Sequence, residues 1–265
     1  MRTVERLVGQ FDEPFADSSA VACLRVCEVA GRHVKVALTG DGGDETFAGY
    51  HRYEEILAAE RGPVSPVRRA TAKAALVTSG AIFSPEAKYL KRFRRRLQSP
   101  LGLHEEHQVL FSPWLVERLL APAWRAETAE PGPVAEYRQR AIARGWSAVD
   151  IAQYVDLRTY LPEDILAKVD RTSMACSLEC RVPLLDHAVT EFSARLSMGL
   201  KIRDGVRKYL LKKVAERYVP PALLYRPKMG FRVPIRRWFK RGLLDETEQL
   251  VRDGALVGAG IVDRA

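Results

Sequence analysis

Apolar residues recur at helical spacing along most of the chain and at strand spacing in one short run. Asp17-Ser18-Ser19 precedes the apolar positions Val21, Leu24, Val26 and Val29, which predicts a capped helix from Ala20 to Ala30 stopped at Gly31. Val34-Lys35-Val36-Ala37-Leu38-Thr39 is rich in β-branched residues and predicts a strand. Gly40-Asp41-Gly42-Gly43-Asp44-Glu45 cannot extend that strand, and Thr46 to Tyr53 reads as the helix after it. A strand that ends in a glycine-rich turn opening a helix is where open α/β sheets place their ligands. From Pro63 to Pro133 the pattern is helical but interrupted by Pro66, Pro85, Pro100, Pro113, Pro122 and Pro131, with Glu127 to Pro133 the expected exposed loop.

The second half is helical throughout. Ile151, Tyr154, Val155 and Arg158 to Leu161 form one amphipathic segment ended by Pro162, and Asp164 is placed to cap the next, with Ile165, Leu166 and Val169 inward. Asp186 caps a helix from His187 to Leu196, and Arg207 to Tyr218 makes one more. No internal repeat is present. One clear strand is few for an α/β protein, so its pairing strands are expected outside this chain. The chain thus divides into a sheet and glycine-turn part, 1–60, and a mostly helical part, 61–265.

Composition narrows the class. The 265 residues carry 42 Lys+Arg against 33 Asp+Glu, a net charge of +9, with 47% hydrophobic and 28% charged residues. That balance excludes global disorder, a collagen-like repeat and a disulfide scaffold. Cys23 and Cys27, like Cys176 and Cys180, stand four apart, a helical spacing rather than that of a zinc knuckle, and read as small buried residues in a reducing compartment. The most apolar stretch, Ala74 to Phe83, is too short to span a membrane, and the first residues lack the apolar core of a signal peptide, so the cytoplasm is expected. The basic run Lys88 to Arg96 reads as a solvated helix face, with contact to phosphate groups as the alternative.

Candidate chemistry concentrates at the glycine turn. Asp41, Asp44 and Glu45 lie among Gly40, Gly42 and Gly43, so backbone N–H groups suited to an anion sit beside three carboxylates that would repel one. A hard cation such as Mg²⁺, bridging acid and phosphate oxygens, reconciles the two and predicts a metal–nucleotide site. The dinucleotide and P-loop glycine patterns are both absent, and an ordinary surface loop is the alternative. Three further segments stand out: Tyr160 to Arg171 continuing to Asp186, where Lys168 and Asp170 flank an apolar face, Glu179 and Arg181 sit on one side of an extended stretch, and ion pairing that orients helices is the plain reading; Lys208, a helix lysine by pattern; and Arg226-Pro227-Lys228-Met229-Gly230-Phe231-Arg232-Val233-Pro234, a rigid basic turn.

Taken in order, Thr39 to Tyr50, Leu161 to Asp186, Lys208 to Lys212 and Arg226 to Pro234 resemble the synthetase domain of glutamine-dependent asparagine synthetases, as does Asp12-Glu13-Pro14-Phe15-Ala16-Asp17-Ser18-Ser19. The resemblance implies an α/β fold, the C-terminal part of an adenine-nucleotide α-hydrolase-like (ATP pyrophosphatase) domain, largely helical with few parallel strands. It implies ATP-dependent amide formation, in which an aspartate-type carboxylate attacks the α-phosphate of ATP, Mg²⁺-pyrophosphate leaves, and ammonia attacks the acyl-AMP. By the same resemblance Thr39, Gly40, Gly42 and Gly43 contact ATP, Asp41 serves intermediate formation, Asp44 holds the Mg²⁺-pyrophosphate, and Lys208 neutralises charge on the phosphates. The family's S-G-G-x-D-S pyrophosphate loop is absent, with Val77-Thr78-Ser79-Gly80 only a partial echo, and so is the glutaminase domain with its leading cysteine. The expectation is therefore a piece of the synthetase domain, with a partner chain supplying that loop and ammonia from glutamine. A non-catalytic nucleotide-binding or oligomer subunit is the alternative, and nucleic-acid binding through Lys88 to Arg96 is a third reading.

Overall fold

A computed structural model of the chain describes residues 2–62, 99–108, 113–125, 132–227, 230 and 233–262. The runs Ala74 to Phe83 and Lys88 to Arg96, Lys228, and most of the loop expected at Glu127 to Pro133 lie outside the described residues. The fold is α/β and mostly helical, with four short strands among the described residues. β1 is Val36–Leu38, and its partner lies within the chain: β2, Glu179–Arg181, runs parallel to it with Val36 opposite Glu179 and Leu38 opposite Arg181. That corrects the expectation of pairing strands elsewhere. Glu179-Cys180-Arg181 has no apolar signature because its two charged residues share the outer face, where Arg181 Nε donates to Glu179 Oε1 at 2.6 Å, while Cys180 turns toward the helix side.

The second sheet is a hairpin of β3, Ile202–Arg203, and β4, Val206–Arg207, closed by Asp204 and Gly205, both at positive φ (51° and 74°). An Asp-Gly turn of this kind matches the twist of its strands. The single helix expected from Arg207 to Tyr218 is therefore wrong: Arg207 ends β4 and the helix is Tyr209–Ala215. The helix expected from Thr46 to Tyr53 is also split. One turn spans Gly43–Thr46, Ala48 takes φ 53°, and a new helix runs His51–Arg61.

Helix ends follow local chemistry. Asp17 lies one residue before the N-cap position of the Ser19–Ala30 helix, Ser18, and steadies its start by accepting from Ser19 N at 2.8 Å and Ser19 Oγ at 2.6 Å. Gly31 ends it with φ −63°, so its role is space: a β-carbon there would lie 2.9 Å from Cys176 O. Pro100, Pro113, Pro122 and Pro133 each open a helix, a position that needs no N–H, so the first three start elements where the sequence suggested breaks, and Pro133 starts one at the end of the expected loop. Asp186 caps His187–Arg195 through Ala188 N at 2.9 Å, as expected. Pro162 does not end the preceding segment. The Ala148–Arg158 helix stops at Thr159, and Pro162 lies in the first turn of a π-helical segment, Leu161–Leu166, that continues into Ala167–Met174. Asp164 is in that segment and caps nothing.

Two buried polar groupings tie the helices together. The Asp156 carboxylate is fully buried and accepts from Arg52 Nη2 at 2.8 Å and Tyr53 Oη at 2.5 Å, with His104 Nε2 at 3.0 Å. Burial works against its charge, but the His104 bond and the Arg52 guanidinium outweigh it and hold the carboxyl below its usual range. Arg52 lies 4.2 Å above the Tyr50 ring and 4.7 Å from that of Tyr160. Around this hub pack Ala48, Tyr53, Ile56, Leu103, Val149, Ala152 and Ile202, drawn from five segments. The second grouping is Lys168, buried between Asp17 and Asp164, with Asp164 Oδ1 at 3.7 Å. Burial and the neighbouring Asp17 push the Asp164 carboxyl up to about 6, against the pull of Lys168.

Asp156→Ala leaves the Arg52 charge buried without its counter-ion and should cost about 3–5 kcal/mol in urea unfolding; a change below about 1 kcal/mol would show that the hub is dispensable. Asp164 behaves oppositely with pH. Its native carboxyl binds a proton more readily than the unfolded chain's, so it favours folding at acid pH, and that contribution is lost as pH rises through about 6. Asp164→Asn should therefore gain stability relative to the unmodified chain between about pH 4 and about pH 7; parallel stability profiles would contradict this.

Candidate functional site

The glycine turn sits at the carboxyl ends of both β1 and β2. Thr39 N donates to Arg181 O at 2.8 Å, and the Thr39 hydroxyl is buried without a hydrogen-bond partner among the described residues. A β-carbon on Gly40 would meet nothing, so the chain is open to approach there. Asp41 is half-buried, and its charge adds to the burial that raises the Cys180 thiol. Gly42 and Gly43 have a different reason to be glycine. A β-carbon on Gly42, at φ 74°, would lie 2.1 Å from Leu185 Cδ2, and one on Gly43 2.6 Å from Leu184 Cδ1. Both therefore accommodate the Pro183–Leu185 turn that follows β2.

The three carboxylates of the turn do not act as a group. Glu45 points into the core, 1% exposed, where Tyr50 Oη donates to Glu45 Oε1 at 2.8 Å and burial pushes the carboxyl up. Asp44, one residue before it on the same helical turn, faces a cleft instead. Among the described residues, no three His, Cys, Asp or Glu side chains come together as a metal cage.

Lys208 reaches that cleft from β4. It stands in the left-handed region (φ 54°, ψ 37°), ahead of the Tyr209–Ala215 helix rather than within it, and its Nζ lies 3.2 Å from Asp44 Oδ1. The pair crosses over Gly49, where a β-carbon would be 2.0 Å from Asp44 Oδ1 and 2.3 Å from Lys208 Cε. The cleft holds about 430 Å³, and its charged walls are Asp44, Arg207, Lys208, Lys212 and Arg226. Among the described residues, one carboxylate thus faces four cations. Arg207 is also held by Glu54 Oε2 at 3.3 Å. Lys212 lies 5.2 Å above the Tyr225 ring, and burial followed by the charges of Arg207 and Lys208 lowers its ammonium pKa. Cations crowded until they repel one another suit a polyanion that would relieve the repulsion.

Of the residues singled out in the sequence, the fold brings Asp44 and Lys208 together, with Arg226 on the same cleft. Thr39, Gly40 and Asp41 lie at the end of β1, outside the cleft walls. Sequence reading missed Arg207, Lys212 and Gly49. Lys212 follows Lys208 by four residues and was within reach of helical spacing, whereas Arg207 and Gly49 matter only through tertiary contacts. The donor set fits Mg²⁺ in one specific way. A single hard carboxylate amid cations cannot cage the ion, but it can share one with phosphate oxygens.

The whole chain, residues 1–265, matches the family model described as Asparagine synthase. It is 33% identical to asparagine synthetase [glutamine-hydrolyzing] 1 of Bacillus subtilis (strain 168), over 96% of this chain and 39% of that protein. It is 38% identical to a putative asparagine synthetase [glutamine-hydrolyzing] of Mycobacterium bovis, over 91% of this chain and 36% of the relative. A more distant likeness, 24% identity over 98% of this chain, is to amidase chyE of Penicillium rubens. The chain therefore spans under two fifths of the length of the two synthetases. No solved structure matches it, and no helix among the described residues is long and apolar enough to cross a membrane. The order of its motifs, the cleft they build and the full-length match agree: the chain belongs to the asparagine synthase family.

Proposed function

We propose that the chain carries the pyrophosphate side of an ATP-dependent amide-forming site, in which a carboxylate of aspartate or a related acceptor is activated as an acyl-AMP and then attacked by ammonia. The observation that carries this reading is the cleft itself: Lys208, strained and anchored on Asp44, stands among Arg207, Lys212 and Arg226 with no second carboxylate in the wall among the described residues. Such a surface suits the diphosphate that leaves when the acyl-AMP forms. Lys208 would donate to its oxygens and take up charge as the α-phosphate bond breaks, from a position set before the reaction. Asp44 would hold Mg²⁺, which when bound neutralises charge on the diphosphate. Thr39, Gly40 and Asp41, with Gly42 and Gly43 shaping the turn, would meet the rest of the nucleotide where a β-carbon on Gly40 finds only open space. Ammonia from glutamine and the S-G-G-x-D-S loop would come from a partner chain or a further segment.

Titration calorimetry with magnesium pyrophosphate tests the reading. Lys208→Ala should weaken binding at least about tenfold, the loss of one charge-assisted contact. Asp44→Ala should abolish the dependence of binding on Mg²⁺, and Gly49→Ala, which forces Asp44 and Lys208 apart, should match the Lys208 variant. Unchanged binding in all three would remove the cleft from consideration. Pyrophosphate release from ATP, aspartate and ammonia, measured with and without a chain bearing the loop, should depend on Lys208. Release that survives Lys208→Ala undiminished would contradict its role.

A further inference from the structure

Lys168 and Lys201 are the buried lysines among the described residues, and nothing above gives Lys201 a task. It is 4% exposed, closes the Met198–Lys201 helix and stands immediately before β3. It is thus the root of the hairpin whose far strand delivers Lys208. Its ammonium donates to Gln153 Oε1 at 3.0 Å. Gln153, also 4% exposed, projects from the Ala148–Arg158 helix and donates through Nε2 to Glu45 O at 2.5 Å and Thr46 O at 3.3 Å.

The chemistry of these partners fixes the amide in one orientation. Carbonyl oxygens only accept and an ammonium only donates, so a flipped Gln153 would leave every one of these contacts unmade. The bonds therefore run from the hairpin root to the carboxyl end of the single helical turn that carries Asp44, whose last carbonyls have no partner within so short a helix. Both ends of this link are embedded in one core, because Ala48, just past that turn, and Ile202, just past Lys201, pack in the same cluster. An ammonium buried this deeply costs free energy that an apolar side chain would not, so stability alone gives no reason for a lysine here.

We propose that Lys201 is a positioning residue: through Gln153 it sets the spacing between the Asp44 carboxylate and the Lys208 ammonium, and with it the affinity of the cleft for magnesium pyrophosphate. The affinity part rests on the function proposed above, whereas the spacing part does not. Two variants separate it from a bland structural role. Lys201→Met keeps the apolar stem and removes the donor. Gln153→Glu keeps an acceptor for Lys201 and removes the bonds to the Glu45 and Thr46 carbonyls. Magnesium pyrophosphate is titrated into the full chain carrying each variant, alone and combined with Lys208→Ala, and amide hydrogen exchange is followed over residues 42–49 in the ligand-free protein.

Each single variant should weaken binding about tenfold but by less than about twofold once Lys208 is already alanine, because the effect passes through Lys208. Exchange over 42–49 should quicken while that of the Ser19–Ala30 helix stays unchanged. Equal weakening in both backgrounds, or unaltered exchange over 42–49, overturns the proposal. If the unmodified chain takes up no magnesium pyrophosphate, it is the reading of the cleft that fails, and exchange alone then decides the spacing claim, faster upholding it and unchanged defeating it.

Discussion

Gly49 has no side chain because the Asp44 carboxylate and the Lys208 methylenes occupy the space a β-carbon would fill. Everything at the cleft depends on that passage. It lets the helical turn after β1 and the strand end of β4 approach closely enough for an ion pair, and so joins two segments far apart in sequence. The left-handed backbone at Lys208 belongs to the same constraint. Such a conformation is costly for a residue with a β-carbon and persists where surrounding contacts over-determine it.

The interior and the cleft treat charge in opposite ways. Around Asp156 every charge is answered: Arg52, His104 and Tyr53 converge on one carboxylate, and the arginine is further covered by the rings of Tyr50 and Tyr160. Tyr50 also ties Glu45 inward, which keeps a second carboxylate away from the cleft. There, cations outnumber the one acid. A charge-paired core beside an unbalanced surface is the arrangement expected when rigidity is needed to hold like charges together for an anion. The Lys168 bridge between Asp17 and Asp164 gives the Ser19–Ala30 helix the same kind of tie to the π-helical segment.

What the sequence reveals is local chemistry read at short range. Asp186 as a cap, the strand near Val36 and the turn beginning at Gly40 all rest on neighbours within a few residues, and all stand in the structure. Glu179 and Arg181 are legible as one side of an extended stretch, and they stand so in β2; what stays illegible is its partner, because β1 lies more than a hundred residues earlier in the chain. The hairpin before Lys208 was legible in principle, since Asp204-Gly205 is a strong turn signal, yet two-residue strands carry too little alternation to compete with the helical spacing that follows. By spacing alone the three acids of the turn are equivalent, and the family resemblance singles out Asp41 and Asp44 without a physical reason for leaving out Glu45. Packing supplies that reason: Glu45 is held inward by Tyr50, whereas Asp44 meets Lys208. The packing role of Gly42 and Gly43 was out of reach of the sequence for the same reason, because they make room for leucines from a segment more than a hundred residues away.

On the function proposed for the cleft, the paired Asp44 and Lys208 open onto a seat for the departing diphosphate. A crystal structure of the chain grown with magnesium pyrophosphate tests it most directly. The account predicts density for the anion against Lys208 and Lys212, with the metal between it and the Asp44 carboxylate. An anion bound elsewhere, with the Lys208 to Asp44 contact undisturbed and the cleft holding only water, would contradict it.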